Sequence, residues 1–238
     1  SYYLLNKSSA QSTEATVCVS EGDEISVRFP GLHMESVMIP ELKETYVILC
    51  SDAVRKYPDA DRLLFAGAVS QAGENAPDLI YCDHDHQDRN GKRHTPFLKP
   101  DFSPHTLLGS NYIGSYAAIR RNLLQTVLPE DGTEDFPQDL NAEDAFYAIL
   151  LQLLDRLNKV AHVTQTLYYL TDDRKEEDLY AAFADAAVSA PLEEYRERAM
   201  ERLGLLSEKA FHLSVIIPSK DHADVLIRCL ESLFSVSS

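Results

Sequence analysis

The sequence predicts an α/β protein, because short apolar runs alternate with helical patterns along most of the chain. Runs of four or five apolar or β-branched residues are typical of buried strands. We predict five such strands, over residues 16–20, 25–29, 46–50, 79–82 and 160–163. The alternation favours a sheet covered by helices over an all-helical or an all-strand fold.

Helical patterns lie between and after these strands. The strongest covers about residues 142–157, where Asn141 is a good N-cap and apolar residues repeat on one face. A second helix follows Pro58 and leads to the strand at residue 79, and a third, over 191–204, has a mostly charged surface. The stretch 88–104 is rich in Pro, Asn, Gly and charge, which predicts a long surface loop.

Composition narrows the possible partners. The formal net charge is −16, and a charge of that sign repels phosphate backbones, so we expect no binding to nucleic acid. The four cysteines are widely spaced and form no CxxC pair, which favours free thiols in a reducing compartment. Because we find neither an apolar run of about 20 residues nor a signal peptide, we expect a cytoplasmic protein, in solution or at the inner face of the cell membrane.

Two predicted strands end in acidic residues. The strand 46–50 leads into Asp52, and the strand 79–82 leads into the alternating run Asp-His-Asp-His over residues 83–86. In open α/β sheets, binding sites lie at the carboxyl ends of strands, and carboxylates there can hold divalent cations. If the second strand continues, its two carboxylates share one face and its two histidines the other. On pattern alone, a solvated acidic strand end is an equal alternative.

Five short motifs follow one another between Pro77 and Leu124. They read DLIYCDHD from Asp78, NGKR from Asn90, FLKPDFSP from Phe97, SNYI from Ser110 and RRNLL from Arg120. In this order they resemble the bacterial family 2 glycosyltransferases of the GT-A fold, which make cell-surface polysaccharide and O-antigen chains. The strand and loop from Leu213 look like the opening of a second domain of the same kind.

The resemblance implies a fold, a domain order and a reaction. The fold would be a GT-A-like sheet flanked by helices, as in nucleotide-diphospho-sugar transferases, incomplete at its N-terminus. Residues 1–172 would form a first transferase domain with a short or diverged front, 173–210 a helical linker, and 211–238 the first strand and helix of a truncated second transferase domain. The reaction would move a sugar from a nucleotide-sugar donor to a glycan or lipid-linked glycan by metal-assisted direct displacement.

The resemblance also implies site residues. Glu143 and Asp144, at the start of the strongest helix, look like the acidic pair whose second member is the catalytic base of the family. Asp144 also fits the position of a capping-box residue, and the two roles are compatible. Asp83, Asp85 and Asp221 are the implied contacts to the nucleotide sugar.

The chain departs from the family pattern at the metal motif. Where the family has a sequence such as LDHDD, this chain reads LCSDA from Leu49, so that Asp52 alone remains to bind Mn²⁺ or Mg²⁺. Hard cations do not favour the thiol of Cys50. The segment 167–170 reads LYYL where the family often has LYHWR, without the histidine and arginine that could reach the phosphates.

Two alternatives follow from these departures. The first is a catalytically degenerate GT-A-like module that supports a neighbouring active transferase domain. The second is a metal-dependent hydrolase with ligands from residues 83–88. It is less favoured, because alternation along a strand separates the histidines from the acids.

Overall fold

The computed structural model describes residues 18–19, 29–128, 140–171, 190–206, 226–227 and 230. The chain divides into two compact units, Ser1–Leu205 and Leu206–Ser238. In the second unit, the described residues Leu226, Ile227 and Leu230 are helical. The strand predicted from Leu213 lies outside the described residues.

The described part of the first unit contains a mixed sheet with helices around it. The strands are β1 (Cys18–Val19), β2 (Leu32–Ile39), β3 (Glu44–Ser51), β4 (Val54–Lys56), β5 (Leu79–Gln87), β6 (Arg93–Phe97), β7 (Tyr116–Arg120) and β8 (Val160–Thr171). The helices are α1 (Ala60–Ala72), α2 (Pro104–Gly109), α3 (Arg121–Leu124), α4 (Ala142–Leu153) and α5 (Ala190–Arg202). These elements confirm the α/β class.

The strand order is β1-β2-β3-β7-β5-β8-β4, with β6 paired to β5. Strands β5 and β8 run parallel, and the other described pairings are antiparallel. Strands β3 and β5 both run antiparallel to β7, which lies between them, so their carboxyl ends lie at the same edge of the sheet. Both acidic strand ends therefore lie at this edge.

The sheet separates two apolar cores. Side chains alternate along β3, so that Val47 and Leu49 join the core that contains Phe146 and Leu150 of α4, whereas Ile48 joins the core that contains Leu64 of α1. The apolar face that predicted α4 is therefore the face that this helix buries in the core. A 3₁₀ turn at Leu154–Arg156 follows α4 and accounts for the longer helix that the sequence predicts.

Several boundaries differ from the predictions. Strand β2 was not predicted, because polar residues interrupt its apolar pattern and only part of it is buried. Of the strand predicted over 25–29, Phe29 lies in a turn and the rest lies outside the described residues. The third predicted helix is present as α5. One side of it is charged, and the other is apolar: Leu192, Tyr195 and Ala199 are buried in the core that also contains Phe146 and Leu150 of α4.

The prediction of a long loop over 88–104 was wrong. Strand β5 continues to Gln87 and turns through a tight hairpin into β6, which occupies the middle of the expected loop. Asp88 makes this turn, since its carboxylate accepts hydrogen bonds from the backbone N–H groups of Asn90 (2.9 Å) and Lys92 (2.8 Å). These bonds hold the pKa of Asp88 below its usual value. Gly91 takes the left-handed backbone that the turn requires, with φ +79°.

Two further expectations concern thiols and membranes. Cys50 and Cys82 are free, as predicted, and burial raises the pKa of Cys50 to about 11 and that of Cys82 to about 12. No helix among the described residues is long and apolar enough to cross a membrane.

Candidate functional site

Asp52, the residue predicted to hold a metal, lies in the turn between β3 and β4. Its side chain is 71% exposed, and one carboxylate oxygen contacts Nε2 of His33, which is 69% exposed. Its backbone N–H donates to the carbonyl of Gly31 (2.8 Å). The carboxylate is thus open to solvent while its backbone is fixed.

Gly31 fixes this edge through a tight turn. The N–H of Leu32 donates to the carbonyl of Phe29 (3.1 Å), and Gly31 follows Pro30 with φ +80°, the arrangement that favours glycine. A Cβ on Gly31 would lie 3.1 Å from Oδ2 of Asp52 and 3.5 Å from Cβ of Ala142. Asp52 therefore lies next to the first residue of α4.

The start of α4 carries the predicted acidic pair. Asn141 caps the helix, since its side-chain oxygen accepts a hydrogen bond from the N–H of Asp144 (2.8 Å) and its amide donates to the Asp144 carboxylate (3.0 Å). Asn141 is therefore the capping residue, and the predicted capping-box role of Asp144 stays a prediction. Glu143 is exposed and Asp144 is partly buried. Ala142, two residues before Asp144, therefore lies at the same edge as Asp52.

Sequence reasoning missed two residues beside Asp52. His33 reaches it from β2, and Arg55 donates from Nη1 to the carbonyls of Asp52 (2.7 Å) and Val54 (3.0 Å). His33 lies 19 positions before Asp52 and becomes its neighbour only through the β2–β3 pairing. The Pro30–Gly31 pair was the available signal, because it is typical of a turn that starts a hairpin strand.

The second acidic strand end is buried instead. Asp83 is 5% exposed, and its carboxylate contacts Nε2 of His162 (2.8 Å) and accepts from the backbone N–H of Lys99 (2.9 Å). The Tyr81 ring stacks on His162 at 4.6 Å. The second histidine nitrogen lies 3.5 Å from the exposed carboxylate of Asp101. Asp83 therefore joins β5, β8 and the segment after β6.

Asp85 is also engaged within the fold. Its side chain is 1% exposed, and it accepts hydrogen bonds from the Tyr57 hydroxyl (2.8 Å) and from Nε of Arg93 (2.5 Å). The Arg93 guanidinium also lies 4.5 Å from the centre of the Tyr57 ring. The predicted contacts of Asp83 and Asp85 to a nucleotide sugar stay predictions, and Asp221 lies outside the described residues.

Lys99 is buried between Asp83, Tyr168 of β8 and the segment before β7. It is 6% exposed, and its ammonium group donates to the carbonyl of Ile113 (2.6 Å) and to the hydroxyl of Tyr168 (3.0 Å). Burial lowers the pKa of Lys99 to about 8. Gly114 has φ +84°, and a Cβ there would overlap the Tyr168 hydroxyl. The carbonyl of Ser115, the residue after Gly114, accepts a hydrogen bond from the N–H of Ser51 (3.1 Å). Ser51 directly precedes Asp52 in the chain.

The histidines of β5 form a separate group. The rings of His84 and His86 lie 5.6 Å apart, and His84 stacks between Phe97 (5.1 Å) and Tyr168 (4.9 Å). Nδ1 of His84 is buried without a hydrogen-bond partner. Burial holds the pKa of His84 well below its ordinary value, so this ring is neutral at physiological pH.

The described residues contain no group of three or more His, Cys, Asp or Glu side chains arranged to hold a metal ion. The hydrolase alternative gains no support from this geometry, because Asp83, Asp85 and Asp88 each have other partners. A cation at Asp52 would need most of its ligands from a bound molecule.

A polar cleft of about 550 Å³ lies at the opposite edge of the sheet, beside the residues that precede β5 and β8. Arg120 pairs there with Asp78 and Glu44, and the Lys159 ammonium donates to the carbonyls of Ala72 and Asn75. Its cations are therefore engaged by the protein, which does not favour an anion site.

The chain matches no protein-family model. It is similar to the O-antigen biosynthesis protein RfbC of Myxococcus xanthus, with 27% identity over 172 residues. The match covers 66% of this chain but 13% of that protein, so the chain corresponds to a small part of its length.

Proposed function

We propose that this chain is part of a glycosyltransferase of cell-surface glycan synthesis, and that its first unit is a GT-A-like domain with a nucleotide-sugar site at the Asp52 edge. Three observations support the proposal: the ordered motifs between residues 77 and 124, the mixed α/β sheet, and the similarity to an O-antigen biosynthesis protein. The observation that carries it is the position of Gly31, which lies against both Asp52 and Ala142.

Each side chain at this edge has one task in the proposed displacement. Asp144 accepts the proton of the acceptor hydroxyl as that oxygen bonds to the anomeric carbon and the bond from this carbon to the diphosphate breaks. Glu143, the first member of the acidic pair, places a second carboxylate beside Asp144 in the first turn of α4. Asp52 would hold a divalent cation, Mn²⁺ or Mg²⁺, and that cation would supply positive charge to neutralise the diphosphate leaving group. The acceptor is a glycan or a lipid-linked glycan.

Titration calorimetry of the full-length protein with UDP, GDP and dTDP, each with Mn²⁺, tests donor binding. We expect one of the three to bind, and no binding by any of them would contradict the proposal. The Asp144→Asn variant should keep this binding and lose about 10²- to 10⁴-fold in the rate of sugar transfer, the usual contribution of a general base. Glu193→Gln, in the first turn of α5, is the control and should transfer at the wild-type rate.

A second candidate is the degenerate module that supports a neighbouring transferase domain. It is favoured by the single carboxylate at the eroded metal motif and by the hydrogen bond (3.0 Å) that the Asp144 carboxylate accepts from the side-chain amide of Asn141. Residues 211–238 would then begin the active partner domain, with Asp221 as its donor contact. This candidate expects Asp52→Ala and Asp144→Ala to leave transfer by the full-length protein unchanged, and a large loss of rate in either variant would exclude it.

A further inference from the structure

The pair formed by His33 and Asp52 is exposed and contributes little to the fold. Both side chains are about 70% exposed, and exposed pairs of this kind contribute roughly 0–1 kcal/mol to stability. Neither side chain belongs to an apolar core. Their contact is therefore not part of the packing of the fold.

The backbone on both sides of the pair is fixed. His33 lies on β2 directly opposite Cys50 of β3, within eight consecutive paired residues. Asp52 is held by its hydrogen bond to Gly31 and by the bond from Arg55 to its carbonyl. An imidazole nitrogen and a carboxylate oxygen are thus presented side by side at the open edge without a rearrangement of the chain.

We infer that His33 and Asp52 together form the protein half of a divalent-cation site, and that the diphosphate of the donor supplies other ligands. The inference rests on the proposed function and deepens it, because it assigns the second protein ligand that the eroded motif lacks. Two protein ligands are too few to hold a cation tightly alone, so the diphosphate must supply much of its coordination.

The donor set also selects the metal. Imidazole is a better ligand for first-row transition metals, among which Mn²⁺ binds it most weakly, than for Mg²⁺, which favours oxygen ligands. A His–Asp pair should therefore bind Mn²⁺ and Co²⁺ more tightly than Mg²⁺. A pair of carboxylates at the same two positions should reduce that preference.

The test measures Mn²⁺ binding by electron paramagnetic resonance, with and without UDP, for wild type, His33→Ala, His33→Asp and the control His105→Ala, an exposed histidine on α2. GDP and dTDP replace UDP if calorimetry shows that one of them is the nucleotide bound. We expect nucleotide-dependent Mn²⁺ binding to weaken at least about tenfold in His33→Ala, since even outer-shell partners contribute 10- to 100-fold. His105→Ala should match wild type. His33→Asp should recover Mn²⁺ binding and bind Mg²⁺ better than wild type does.

The outcomes separate this inference from the proposed function. Failure of all three nucleotides to bind wild type, with or without Mn²⁺, contradicts the proposed function. Nucleotide binding that is unchanged by EDTA leaves that function standing and overturns the cation site. Equal Mn²⁺ affinities of wild type and His33→Ala, with nucleotide-dependent binding in both, overturn the role of His33 alone.

Discussion

The two acidic strand ends of this molecule resemble each other in sequence and differ in structure. Asp52 follows β3 as an exposed carboxylate with one histidine partner, whereas Asp83 and Asp85 lie within β5 and are almost fully buried. Each buried carboxylate has at least two hydrogen-bonding partners from other parts of the chain. The comparison teaches that the longer acidic motif holds the fold together, while the single aspartate remains open to a ligand.

The largest expected difference is in stability. Asp83→Ala should lower the free energy of unfolding by about 3 kcal/mol or more, because it leaves His162 and the Lys99 N–H buried without their partner. Asp52→Ala removes an exposed pair and should change it by less than about 1 kcal/mol. Urea unfolding followed by circular dichroism measures both. Similar losses in the two variants would remove the distinction between the two strand ends.

A matched pair of glycines extends the comparison. Gly31 and Gly114 both have φ near +80°, so alanine strains both backbones by about 1 kcal/mol or more. At Gly114 the added Cβ also meets the buried Tyr168 hydroxyl, whereas at Gly31 it meets the exposed end of Asp52 at 3.1 Å. Thermal unfolding should therefore show a clearly larger loss for Gly114→Ala than for Gly31→Ala. The reverse order would contradict the conclusion that the buried strand end is the one that holds the fold together.

The buried end should also respond to alkaline pH. Burial lowers the pKa of Lys99 from 10.5 to about 8, so above pH 8 the unfolded chain binds a proton that the folded chain has lost. Stability contributed by this group therefore rises with pH, by about 1 kcal/mol between pH 8 and pH 9. The raised pKa of Cys50 and that of Cys82 act in the opposite direction from about pH 8 upward, because unfolded thiols begin to lose their protons below their ordinary pKa of 9.0.

Urea unfolding of wild type and Lys99→Met across this pH range isolates the effect. The difference in stability between wild type and the variant should grow in favour of wild type as pH rises. A difference that stays constant would show that Lys99 keeps its ordinary pKa.

The smallest expected effect concerns His84. The folded ring resists protonation, whereas the unfolded ring takes up a proton below about pH 6.5, so stability falls as the pH falls. Between pH 6.5 and 6.0 this amounts to about 0.4 kcal/mol. His84→Phe keeps the stacking with Phe97 and Tyr168 and should lose less stability over the same interval by chemical denaturation. An identical loss in wild type and variant would exclude His84 as the source.

Local patterns were sufficient for part of this structure. Short stretches of sequence predict the apolar face of α4, its Asn141 cap and the buried run of β3. The structure confirms all three. The β5–β6 hairpin was missed because Pro, Gly and charge also describe a loop, and only the bonds of Asp88 show that they make a turn. His33 was missed because its relation to Asp52 depends on strand pairing.

The same limit explains why the acidic motif did not identify its own role. Burial of Asp83 depends on His162 and Lys99, which come from β8 and from the segment after β6. Nothing in the local sequence of β5 shows that these partners meet there. The resemblance to a known family located the acidic motif in the sequence. Only the contacts in the structure show that Asp83 joins β5 to β8 and to the segment after β6.

The most direct test of the account locates the cation on the chain. With ¹⁵N-labelled protein, a nucleoside diphosphate that calorimetry shows to bind and a small amount of Mn²⁺, paramagnetic broadening should first remove the amide signals of Gly31, Asp52 and Ala142. The signals of Asn90 and Gly91, at the tip of the β5–β6 hairpin, should persist. Broadening centred on residues 83–88, or none at all, would contradict the assignment of the site to the Asp52 edge.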